Sequence, residues 1–174
     1  MAQTKIIPIA VSASVRRLAF TFLAILSFAA PFLLSSSQPV TGTIVNAALF
    51  LSAVILPTRL FLPLLVLPSI ATVTRGLVFG PLTPFLIYFL PFIWLGNGVL
   101  VLSFKKIYGR LGYFPGVISA AVFKSLLLFL CAQVYYHLHL VPAVFITTMG
   151  GLQIITAIFG GLLVYPLVKK IINE

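Results

Sequence analysis

Apolar runs of helix length, separated by one or two basic residues, leave this chain few ways to fold. The run from Leu18 to Leu34, LAFTFLAILSFAAPFLL, follows Arg16 and Arg17 and carries no charge. A helix needs about 20 apolar residues to cross a bilayer, with a range of about 17–25. Comparable runs recur to the end of the chain. Of its 174 residues, 61% are hydrophobic and 7% charged, whereas soluble domains carry roughly 25% charged residues. Too few polar side chains exist to coat a water-soluble globule of this size. The expectation is a single all-α integral membrane domain over residues 1–174.

The interruptions SSSQP, PTR, GLVFGPLTP, KK and HLHLVP divide the chain into six segments. They place spanning helices near residues 18–34, 40–56, 60–74, 85–104, 116–136 and 143–168. Six spans put both termini on one side. With that side cytoplasmic, Lys5, Arg16, Arg17, Arg59, Lys105, Lys106, Arg110, Lys169 and Lys170 fall inside, only Arg75 falls outside, and Lys124 lies within a span. This asymmetry follows the positive-inside rule. A shallow hairpin made from the second and third segments would strand Arg59 in lipid, which favours six full crossings. Arg16 and Arg17 before an apolar run also fit a signal peptide, but Pro31 and the lack of a small-x-small cleavage site favour an ordinary first helix.

The same inventory removes several functions. A net charge of +10 does not signal nucleic-acid binding here, because the basic residues form no stripe outside the apolar runs. One cysteine, Cys131, rules out an internal disulfide, a cysteine-ligated cluster and a Cys-type zinc site. One acid, Glu174, rules out paired-carboxylate chemistry. His137 and His139, two apart on a helix, diverge and would not share a metal. No G-x-x-x-x-G-K-[ST] loop is present to hold a nucleotide. No metal, no cofactor and no enzymatic activity are expected.

Polar residues inside a bilayer are functional candidates, with helix–helix hydrogen bonding as the alternative. Asn97 lies between Gly96 and Gly98 and shares a face with Trp94. Gln153 begins a stripe with Ala157 and Gly161 that reads first as a packing seam. Asn46 lies near the outer end of the second segment. Arg75 suits either a carboxylate or phosphate ligand or a lipid headgroup. Trp94, Asn97, Gln153, Arg75 and Asn46 are therefore the candidate substrate contacts. Lys124 lies in AAVFKSLLLFLC. With its helix entering at Gly116, it sits about 12 Å from the cytoplasmic face at 1.5 Å per residue. That depth favours snorkelling or a partner interface over an anionic substrate.

Three stretches carry a family resemblance: VNAALFLSAVILPTRLFLPLLVLPSIATVTRGLVFGPL (Val45 to Leu82), PFIWLGNGVLVLSFKKIYGRLGYFPGVISAAVFKSLLLFL (Pro91 to Leu130) and GGLQIITAIFGGLLVYPLVKKI (Gly150 to Ile171). In their order and spacing the chain resembles the substrate-binding S component of energy-coupling factor (ECF) transporters. The resemblance implies six helices with cytoplasmic termini in a prokaryotic cytoplasmic membrane, and a binding site that opens outward. It also implies capture of a vitamin or precursor, with a T component and ATPase subunits as separate partner chains. The first helix lacks the family's clean A-x-x-x-A docking pattern, Ala10 with Ser14 being the nearest pair. Ala2 replaces the histidine that nickel and cobalt members carry after Met1, which argues against a metal substrate. The rival expectation is a non-transporting helical subunit or assembly factor of another membrane complex.

Overall fold

The computed structural model describes residues 12–34, 37–75 and 80–173. Ala10, much of the connection from Gly76 to Pro84, and Glu174 lie outside them. Within these limits the chain is helical, with no strand. Its helices are α1 (Ala13–Leu33), α2 (Gln38–Ile55), α3 (Phe61–Arg75), α4 (Leu86–Leu111), α5 (Tyr113–His137), α6 (Val144–Met149) and α7 (Gly151–Asn173).

Each boundary has a local cause. The Ser12 hydroxyl accepts from the Val15 N–H at 3.3 Å and caps α1. The α1–α2 turn is tied by Thr41, whose hydroxyl donates to the Leu34 carbonyl at 2.8 Å. Pro57 stops α2, since the residue before a proline is pushed out of helical geometry, and Leu56 is extended at ψ 147°. A short 3-10 turn, Thr58–Leu60, then leads into α3.

Lys105 and Lys106 do not end the fourth helix, as their charge suggested. Lysine is a good helix former, so α4 continues to Leu111 and breaks only at Gly112, whose φ of +93° suits glycine. α5 therefore starts at Tyr113 rather than Gly116. The long sixth helix is in fact two. Gly150 separates α6 from α7, and its carbonyl accepts from the Ser125 hydroxyl at 2.6 Å.

Side-chain contacts fix how the helices run. Arg75, at the end of α3, sets its guanidinium over Phe32 at the end of α1, 5.5 Å from the ring centre. Lys105, late in α4, donates to the Leu56 carbonyl just after α2 at 3.4 Å and lies over Phe61 at the start of α3. α3 thus begins at the Lys105 end of the bundle and finishes at the Arg75 end. α5 rises the same way, for the Tyr135 hydroxyl near its C-terminus donates to the Tyr88 carbonyl near the start of α4.

Among the described residues, five helical segments are long and apolar enough to cross a membrane: 13–33, 38–55, 82–111, 113–137 and 144–171. α3 has 15 residues, or about 22 Å at 1.5 Å per residue. That falls short of a hydrocarbon core of about 30 Å. The chain is a multi-pass helical membrane protein.

Two buried apolar clusters fill the interior. One, toward the Lys105 end, includes Phe50, Leu100, Phe104, Val117 and Ala121, with Phe50 and Phe104 packed edge to face at 5.0 Å. The other, toward the Arg75 end, includes Phe89, Leu128, Phe145 and Met149, with Phe89 stacked on Phe145 at 5.2 Å. Along α4 and α5, the stretch between these clusters carries Asn97 and Lys124.

Candidate functional site

Small residues bring four helices together at that level. A Cβ on Gly160 of α7 would lie 2.8 Å from the Ala47 nitrogen and from the Thr43 oxygen, so α2 and α7 touch backbone to backbone. One turn away, a Cβ on Gly42 would meet the Thr156 side chain at 3.1 Å. Gly96 of α4 faces α5 more loosely, where an added Cβ would lie in ordinary contact, 3.4 Å from Leu128 Cγ and 3.5 Å from Lys124 Cγ. Close backbone approach through small residues is the usual basis of packing in a membrane, where burial from water supplies no drive.

The contacts enclose Lys124, which is 4% exposed. Its Nζ donates to Asn46 Oδ1 at 2.7 Å and to Asn97 Oδ1 at 2.8 Å. The orientation of both amides follows, because an ammonium can only donate and so must face oxygen. Each amide passes its Nδ2 hydrogens onward. Asn46 donates to Thr156 Oγ1 at 3.2 Å, and Asn97 donates to the Leu65 carbonyl at 2.9 Å. In α3, Pro68 removes the N–H that would have bonded the carbonyl of Leu64, and Asn97 docks at that turn. One lysine and two asparagines thus join α2, α3, α4, α5 and α7.

This arrangement differs from the snorkelling or partner-facing lysine expected from sequence. Counting from Tyr113, Lys124 lies about 16 Å along α5 at 1.5 Å per residue, near mid-height in a helix of 25 residues. Its side chain turns inward to the two amides, neither toward a headgroup layer nor onto an outer face. An ammonium carries three N–H donors. Two are used, and the third has no protein acceptor among the described residues.

A cavity of about 100 Å³ lies against the lysine. α2 lines it from Gln38 through Thr41 to Asn46, and α3 contributes Ser69 and Thr72. Leu86, Ile93 and Asn97 come from α4, and Met149 and Gln153 from the α6–α7 break. These positions occupy the half of each helix nearer the Arg75 end. From Gln38 to Asn46 is about 12 Å along α2 at 1.5 Å per residue. The cavity therefore reaches from near the Arg75 end of the bundle to the Lys124 level, where the lysine and two amides form its floor.

Of the candidate contacts, Asn46, Asn97 and Gln153 line this cavity and Trp94 and Arg75 do not. Trp94 does share a face with Asn97, since both reach α3. Its Nε1 donates to Ser69 Oγ at 2.5 Å, making it a clamp behind the wall. Arg75 is exposed and engaged with Phe32. Gln153 Nε2 donates to the Thr148 carbonyl at 3.4 Å across the helix break. The seam through Ala157 and Gly161 packs closely, a Cβ at Gly161 meeting Val117 at 2.5 Å.

Sequence reasoning missed Ser69, Thr72 and Thr156. Helical hydroxyls satisfy themselves on the preceding turn, as Thr72 does on the Pro68 carbonyl at 2.9 Å, so they leave little trace in an apolar run. The sole usable signal lay in the asparagines. Apart from Asn173 near the C-terminus, the chain has only Asn46 and Asn97.

The chain matches no protein-family model, no curated protein and no solved structure.

Proposed function

We propose that this protein is the membrane-embedded capture subunit of an ECF-type importer in a prokaryotic cytoplasmic membrane. It takes a small organic micronutrient from outside and relies on a T component and ATPase subunits in separate chains. The observation that carries this reading is the cavity with a polar floor. It extends inward from the Arg75 end and stops at the Lys124 level, with the apolar cluster around Phe50 and Phe104 between that floor and the other end. Such a vestibule suits binding from one side and release only after the helices rearrange.

The proposal includes six crossings with both termini cytoplasmic. Two observations support α3 as the sixth. It runs from the Lys105 end to the Arg75 end, and with Thr58–Leu60 the helical stretch reaches about 27 Å at 1.5 Å per residue. Arg59, Lys105, Lys106 and Arg110 then fall at the cytoplasmic face and Arg75 at the outer one, as the positive-inside rule requires.

Purification of the tagged full chain from its native membranes tests the function. Co-isolation of a T-type membrane protein with ATPase subunits, and a small molecule retained in native mass spectrometry, are the expected results. A stable complex with an unrelated membrane enzyme, and no ATPase, would replace this reading with that of an accessory subunit.

A further inference from the structure

The floor of the cavity holds a buried lysine amino group with no carboxylate side chain beside it among the described residues. Lys124 is buried, lines the cavity, and spends two of its three donors on the neutral oxygens of Asn46 and Asn97. Among the described residues there is no acidic side chain: the one such side chain of the sequence, Glu174, lies outside them. The rest of the wall offers hydroxyls and amides at Thr41, Ser69, Thr72 and Gln153, and apolar surface at Leu86 and Ile93. None of these carries a negative charge. The lone Arg75, at the end from which the cavity descends, adds a positive potential there.

We infer that the captured molecule is a small organic monoanion, held through a carboxylate that accepts the third N–H of Lys124. This rests on reading the cavity as a capture site. Charge sets the valence. One cation faces the cavity, so a dianion would bring a second charge into the membrane interior without a partner. Volume sets the size. About 100 Å³ is well below the roughly 300–1,000 Å³ of sites for drug-sized ligands. The wall composition sets the remainder of the ligand: an apolar body with one or two hydroxyl or amide groups.

The charge-assisted bond is short and strong because both partners leave water. The carboxylate completes a set of three oxygens around Nζ, two from the protein and one from the ligand. Asn46 and Asn97 act as positioning residues here, aiming the ammonium into the cavity, and Lys124 is the group that touches the ligand.

Purified full chain in detergent, in chloride-free buffer, is melted with carboxylates paired against their primary amides: acetate with acetamide, lactate with lactamide, nicotinate with nicotinamide and benzoate with benzamide. Chloride alone is a further arm. At least one carboxylate should raise the melting temperature where its amide does not. Lys124→Met should weaken that binding by about 10- to 100-fold, the range for losing one bond to a charged group. Asn46→Asp supplies an internal carboxylate beside Nζ, and the Thr156 hydroxyl can rotate to donate to it. That variant should melt higher and no longer respond to carboxylates, so the test survives if Lys124→Met folds poorly.

Amides that bind as well as their acids, carboxylate binding unchanged in Asn46→Asp, chloride as effective as any carboxylate, or no response from any pair would each overturn the inference. Retention of a neutral molecule in native mass spectrometry would also overturn it, while leaving the capture function standing. Co-isolation without an ATPase would remove the capture function itself.

Discussion

Lys124 sits at a depth where a charged side chain costs about 2.5–3.5 kcal/mol on insertion scales, and its two amides offset part of that cost. Their removal should therefore hurt more than removal of the lysine. Asn97→Leu leaves the ammonium one acceptor short and the site disturbed at Leu65, a loss of about 1.5–3 kcal/mol for a bond to a charged group. Adding Lys124→Met to Asn97→Leu should recover much of the loss, since deleting both partners of a buried polar pair can be nearly neutral. A double-mutant cycle of thermal or SDS unfolding measures this, and strict additivity would contradict the coupling. Trp94 is a contrasting residue. Trp94→Phe removes the bond to Ser69 and should cost about 1 kcal/mol. Any change in ligand affinity should be smaller than that of Lys124→Met, because Trp94 reaches the cavity only through Ser69.

At the level of helices, glycines decide which pairs can touch. A methyl at Gly160 would press at 2.8 Å on the backbone of α2, which cannot rotate away as a side chain can. Gly160→Ala should cost about 1–3 kcal/mol, the usual range for overpacking, and should also weaken ligand binding by shifting Asn46. Gly151, with nothing within 4 Å of an added Cβ, is the control, and Gly151→Ala should melt close to wild type. A Gly160→Ala protein as stable as wild type would mean that α2 and α7 do not meet so closely. Gly112 works differently. Its Cβ would also meet nothing, but its φ of +93° would strain any other residue by about 1–2 kcal/mol. That single residue lets α4 end and α5 begin without a loop.

For the molecule as a whole, the decisive matter is whether α3 carries the chain across. In a Cys131→Ser background, single cysteines at Arg59 and Arg75 report it through membrane-impermeant thiol labelling. Six crossings predict labelling of Arg75→Cys from outside and of Arg59→Cys only after the membrane is opened. The same side for both would leave five crossings and put the termini on opposite faces. α3 contributes to the site either way, through Ser69, Thr72 and the Leu65 carbonyl.

The helical class and the membrane environment were legible in the sequence because transfer from water depends on composition summed along a run, which is a local quantity. The scarcity of acidic side chains, a single Glu174 in the whole sequence, was legible for the same reason. Helical period put Trp94 and Asn97 on one face, and both do turn to α3. Helix ends were less legible: the charge of Lys105 and Lys106 suggested an end, whereas backbone geometry at Gly112 and Gly150 ends α4 and α6. What the sequence could not contain is which face meets which. Asn46, Asn97, Lys124 and Thr156 come from four helices, and their meeting depends on the backbone approach at Gly160 and the close side-chain contact at Gly42, which no single helix specifies. Packing between helices turned Lys124 from an edge-seeking side chain into the floor of a cavity.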